Sequence, residues 1–154
     1  MGGIYRSTNA GATWTQVSGA NAPIGAAGTE VIFEPTIVAG NTAIVYAAMG
    51  DPFGDAANGI YKSTDSGQTW TKLSGGLPAS NVGRIKLAYA PSTSTSGTGA
   101  TLYAAIANSA GNSADLLGFF CDHEWRRSVD PVDRYSEFLR GTMLLRHGRC
   151  GTPY

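Results

Sequence analysis

Apolar residues in this chain come in short runs cut by Gly-, Ser-, Asn- and Pro-rich stretches, the pattern of many short strands joined by turns. Extended segments are predicted at Ile4 and Tyr5, 14–17, 31–35, 42–48, Ile60 and Tyr61, 70–73, 85–91, 101–106 and 116–120. Proline at 35 and 91 closes two of them, because its missing N–H cannot serve a central ladder. A Gly/Ala-rich connection fills 19–30, and polar turns fill 92–99 and 108–113.

The order of these runs repeats. Gly3-Ile-Tyr-Arg-Ser-Thr-Asn-Ala-Gly-Ala-Thr-Trp-Thr-Gln-Val-Ser-Gly19 returns as Gly59-Ile-Tyr-Lys-Ser-Thr-Asp-Ser-Gly-Gln-Thr-Trp-Thr-Lys-Leu-Ser-Gly75, a shift of 56 residues. Each copy reads as a hairpin whose turn caps itself: the side-chain oxygen of Asn9 or Asp65 accepts from backbone N–H groups just ahead, and Gly11 or Gly67 supplies a positive φ. Trp14 and Trp70 open the returning strand and are expected to pack on their own sheet or its neighbour, since an indole buries a large apolar area. Self-similarity at this period means stacked copies of one unit, none of which can bury its apolar face alone.

The spacing Ser7-x-Asn9-x-Gly11-x-x-Trp14, repeated as Ser63-x-Asp65-x-Gly67-x-x-Trp70, resembles the Asp-box, or BNR repeat. That motif occurs in β-propellers such as sialidases, xyloglucan-cleaving glycoside hydrolases, sortilin-type receptor domains and photosystem II assembly factors. The resemblance implies an all-β chain holding about two to three four-stranded antiparallel blades of an incomplete propeller over 1–120. It implies a secreted or periplasmic parent that is either a carbohydrate-active enzyme or a carbohydrate- or protein-binding propeller. Because the motif is a fold element shared by unrelated activities, the eight box residues are assigned to structure rather than catalysis. Open sheet edges in such a piece are expected to promote self-association.

Composition narrows the chemistry. The 154 residues carry 11 basic and 11 acidic side chains, with 42% hydrophobic residues, so one ordinary domain fits and no basic stripe suggests nucleic acid. No membrane span or signal peptide is visible, and no cofactor is expected. Sialidases use an arginine cluster, whereas residues 1–120 offer only Arg6 and Arg84. Glycoside hydrolysis needs two carboxylates facing across a cleft; the candidates here are Glu30, Glu34, Asp51, Asp55, Asp65 and Asp115. Strand alternation places the loop containing Asp51, Phe53 and Asp55 at the end opposite the box turns, on one rim with 75–82 and 107–115. A ligand rim is therefore expected at Asp51, Phe53 and Asp55, although turn formation explains the two acids and packing on the sheet explains Phe53.

Residues 121–154 break the pattern. Both cysteines and both histidines lie there, and all six Lys/Arg positions are arginine. Cys121 with His123, and His147 with Cys150, lack the paired short spacings of a structural zinc site, so no metal is expected. One reading is a helix over 131–140, with Asp130 as N-cap, Pro131 in the first turn and Val132, Tyr135, Phe138 and Leu139 on one face. The other is an out-of-frame end to the gene: shifting the codons by one nucleotide lets Asp122 become Thr, Glu124 become Asn, Trp125 become Gly and Val129 become Trp, which restores a third box in register. On that reading the natural sequence would continue the repeat beyond Phe120.

Overall fold

The computed structural model describes residues 2–17, 24–25, 27–38, 42–90, 101–109, 115–121 and 126–129. All regular structure among them is β. The strands are β1 (Gly2–Gly3), β2 (Tyr5–Arg6), β3 (Thr15–Gln16), β4 (Ile24–Gly25), β5 (Gly28–Val38), β6 (Thr42–Met49), β7 (Gly59–Ser63), β8 (Thr71–Lys72), β9 (Val82–Ala90), β10 (Thr101–Asn108), β11 (Leu116–Cys121) and β12 (Arg126–Val129). They form two four-stranded antiparallel sheets, β5-β6-β7-β8 and β9-β10-β11-β12, and two short pairs, β2-β3 and β1-β4.

The two large sheets share a register. In the first, Ala47 pairs with Val31 on one side and Tyr61 on the other. In the second, Ala104 occupies the same place between Leu87 and Phe120. Alternation along β6 then does the packing. Val45, Ala47 and Met49 face the β2-β3 hairpin together with Tyr61 and Trp70, while Tyr46 and Ala48 face the opposite way with Ile60. Against that second face lie Ile85, Leu87, Leu102, Ala104, Ile106 and Phe120 of the next sheet. Being covered on both faces, β6 reads as a continuous apolar run rather than an alternating one. Full burial of side chains such as Ile60, Ile85 and Leu102 contributes about 1.5–3 kcal/mol each.

The sheets also meet through backbone and charge. A Cβ on Gly50 would lie 2.7 Å from the carbonyl oxygen of Gly83, so only glycine lets the end of β6 approach the start of β9 this closely. Glu30 on β5 accepts from the backbone N–H of Leu87 on β9 and lies 3.5 Å from the ammonium of Lys86.

Three expectations change. The strand predicted to stop at Pro35 continues to Val38, with the register of β5 against β6 shifting between Phe33 and Ile37, the place where a missing proline donor interrupts a ladder. Within the connection predicted over 19–30, Ile24–Gly25 forms β4, and β5 begins at Gly28. Strand pairing also runs past Phe120: β12, drawn from the divergent tail, takes the fourth place in its sheet that β8 holds in the other. It does so through a shorter link, since Cys121 pairs with Arg126 where Lys62 pairs with Thr71. Residues 130–154, including the helix predicted over 131–140, lie outside the described residues.

Candidate functional site

Two kinds of loop lie at opposite ends of β6, and their chemistry differs. At its start is the turn of the repeated motif. In the first copy the Ser7 hydroxyl donates to Asn9 Oδ1 (3.0 Å) and accepts from Gly11 N–H (2.9 Å), while Asn9 Oδ1 accepts from Thr13 N–H (2.9 Å). In the second, Ser63 donates to Asp65 Oδ1 (2.8 Å), accepts from Gly67 N–H (2.8 Å), and Asp65 Oδ1 accepts from Thr69 N–H (2.8 Å). Ala10 and Gly11 in one copy, and Ser66 and Gly67 in the other, carry positive φ, which these bonds hold in place. One bond reverses with the chemistry: Asn9 Nδ2 donates to Thr13 Oγ1 (2.9 Å), whereas Thr69 Oγ1 donates to Asp65 Oδ2 (2.6 Å).

Asp65 is accordingly an acceptor with every bond pointed at it. Burial on its own would raise its pKa, but hydrogen bonds from the Thr69 side chain and backbone, Ser63 and Gln68 hold it down at about 2. A folded value below the roughly 3.9 of an unfolded aspartate means the carboxylate stabilises the fold above that pH, a contribution lost as pH falls from about 4 through 2. Asp65→Asn should keep the turn, since Asn9 already forms it, and should flatten the loss of stability over that acid window. Equilibrium denaturation at pH 7 and at pH 3 checks this; an unchanged acid slope in the variant would refute it.

At the far end of β6 three loops converge. Asp51 Oδ1 accepts from Phe53 N–H (2.8 Å) and Asp55 Oδ1 from Ala57 N–H (2.7 Å), so each acid closes an Asx turn. Asn58 ties the loop down: Oδ1 accepts from Asp51 N–H (2.8 Å), and Nδ2 donates to the carbonyls of Asp51 (2.9 Å) and Val82 (2.6 Å). Ser109 N–H donates to the Asn81 carbonyl (2.9 Å), and a Cβ on Gly54 would lie 3.2 Å from Ser109 Oγ. The segments around 51–58, 81–82 and 109 thus form one rim. Phe53 is not tucked onto a sheet, as packing would have it, but stands 91% exposed at the tip.

No protein-family model, curated protein or solved structure significantly matches this chain.

The remaining sequence candidates separate by environment. Trp70 is buried against the β2-β3 hairpin and donates from Nε1 to the Gly67 carbonyl (3.2 Å). Trp14, expected to pack likewise, is 62% exposed: nothing among the described residues lies over it as the hairpin lies over Trp70. Of the carboxylates, Glu30 is engaged by Leu87 and Lys86 and Glu34 Oε2 accepts from the Tyr46 hydroxyl (3.5 Å). Among the described residues no group of three or more His, Cys, Asp or Glu is placed to hold a metal ion. No helix among them is long and apolar enough to cross a membrane.

Sequence reasoning missed Asn58. Its signal is modest, a polar residue directly before the Gly-Ile-Tyr run, yet it is buried and serves two units at once. Asn58→Ala should cost about 2 kcal/mol, because the Asp51 N–H and Val82 carbonyl lose their partner in a buried place. Urea denaturation would show it, and a loss below half that size would mean water replaces the amide.

Proposed function

We propose that this chain is a run of Asp-box β-propeller blades acting as a non-catalytic binding module, with the three-loop rim as its ligand face and the box turns as structural caps at the opposite end. The observation that carries the blade reading is the pair of turns 56 residues apart with matching hydrogen bonds, each leading into a strand of a sheet stacked face to face on the next unit. Ring closure is the architecture such stacking leads to, because it removes open edges. By resemblance, the parent is a secreted carbohydrate-active or binding propeller.

What supports binding over catalysis is the use already made of the acids. Asp51, Asp55 and Asp65 hold turns, and Glu30 holds a neighbouring strand, so each is committed to backbone geometry that a proton-transfer role would have to break. What supports the rim as the ligand face is Phe53, an aromatic ring presented to solvent by a loop held by the hydrogen bonds of Asp51, Asp55 and Asn58. A rigid exposed ring suits stacking on a sugar face or a protein side chain.

Two experiments test this. Placing another copy of residues 3–58 ahead of the present start should cover Trp14 as Trp70 is covered, shifting the Trp14 emission to the blue; unchanged emission overturns the blade reading. Soluble plant-type polysaccharides should retard the protein in affinity gels without release of reducing ends. Phe53→Ala should abolish the retardation while leaving stability within about 0.5 kcal/mol. Reducing-end release would instead favour a hydrolase, and retardation unaffected by Phe53→Ala would remove the rim.

A further inference from the structure

A second surface, far from the rim, has an occupant that the repeat itself describes. A groove of about 350 Å³ runs beside β2, lined by that strand with one residue on either side, Ile4 to Ser7, by Trp14 and Trp70, and by Val31, Phe33 and Val45 of the sheet opposite. Ile4 gives its carbonyl to Val17 N–H on the β3 side (2.9 Å), so in an antiparallel ladder the N–H and C=O groups of Tyr5 and Ser7 point the other way, into the groove. Among the described residues no strand pairs with Tyr5 on that side.

One repeat further on, the same edge is filled. Tyr61 and Ser63 pair there with Ala47 and Val45 of β6. The surface facing the groove shows the same contrast. Val31 is 41% exposed, whereas Leu87, its counterpart across from Ala104, is 8% exposed beneath the first sheet. Tyr5 is 49% exposed where Tyr61 is 5% exposed, and Phe33 stands 64% exposed in the groove wall.

We propose that the groove is a strand-acceptor site: it takes one extended segment of a partner polypeptide, antiparallel to β2, bonded through its backbone to Tyr5 and Ser7. Alternate apolar side chains of that segment, in the Ile-x-Tyr-x-Ala pattern of Ile44, Tyr46 and Ala48, cover the exposed Val31 and Phe33. The occupant's chemistry comes from β6, which presents those three residues to the following sheet. Edge addition of this kind draws affinity from main-chain bonds and specificity from alternate side chains. The inference rests on the internal repeat and goes beyond the proposed rim function, so either can fail alone.

The probe is a peptide with the sequence of residues 42–49 between paired lysines, beside a control of the same composition with the alternation scrambled. On the full chain, the peptide should slow exchange of the Tyr5 and Ser7 amides about tenfold or more, and the scrambled control should not. Tyr5→Pro removes the donor on the groove side while leaving the β3-side bond of Ile4, and should abolish binding. Phe33→Asp, at an exposed position that does not threaten the fold, should weaken binding about tenfold by placing a charge under the apolar face. Equal binding of the scrambled peptide, or by Tyr5→Pro, or the absence of amide protection, overturns the proposal. Protection that rises with protein concentration without peptide also overturns it, since the occupant would then be a second copy of the chain.

Discussion

Trp70→Ala is expected to remove about 3–5 kcal/mol of stability, and Trp14→Ala, at the equivalent position of the other repeat, less than about 1 kcal/mol. Both indoles lie over the glycine of their own turn, Gly67 and Gly11. Among the described residues Trp70 also packs against the β2-β3 hairpin with Val17 and Ile4, and its Nε1 keeps a carbonyl partner in that closed space, whereas Trp14 is 62% exposed. Truncation there leaves a cavity between two units that cannot easily collapse, because Met49, Ala47 and Tyr61 are held by their own ladder. Urea denaturation of the two variants in parallel gives the comparison. Equal losses would mean that the hairpin does not close over Trp70, and the stacked arrangement would fall with it.

Gly50→Ala should cost about 3 kcal/mol, and Gly75→Ala about 1 kcal/mol, for different reasons. At Gly50 the added methyl would meet the Gly83 carbonyl oxygen, Arg84 Cα and Ile85 N, all within 2.9 Å and all backbone, so the two large sheets must move apart. Gly75 has open space around the missing Cβ and carries only the strain of φ at 76°. A separation of the sheets also draws Glu30 away from Leu87 N–H. The Gly50→Ala variant should therefore show faster amide exchange at Leu87, which Gly75→Ala should not. Matching exchange in both variants would mean that the sheet interface absorbs the methyl, contrary to the backbone contacts seen.

Much of this architecture is legible along the chain because it depends on short-range chemistry. Ser63, Asp65, Gly67 and Thr69 bond to one another within seven residues, so spacing alone announces the turn and where its two strands lie. The rim was readable at a coarser level, from strand alternation, but Asn58 was not, since its role depends on reaching a carbonyl 24 residues away. The tail was the least readable. β12 owes its place to the free edge that β11 offers, and Arg126–Val129 is no strand pattern in isolation.

The amino-acid sequence by itself determined the unit: two hairpins with self-capping turns, the glycines their backbones require, and strands apolar enough to be covered on both sides. Tertiary structure alone decided which copies are covered. Trp14 and Trp70, Tyr5 and Tyr61, and Val31 and Leu87 hold equivalent places in their repeats, yet each pair splits into an exposed and a buried member. Burial depends on what the neighbouring unit lays over a residue, and that neighbour is chosen by packing between sheets, a property no local pattern encodes.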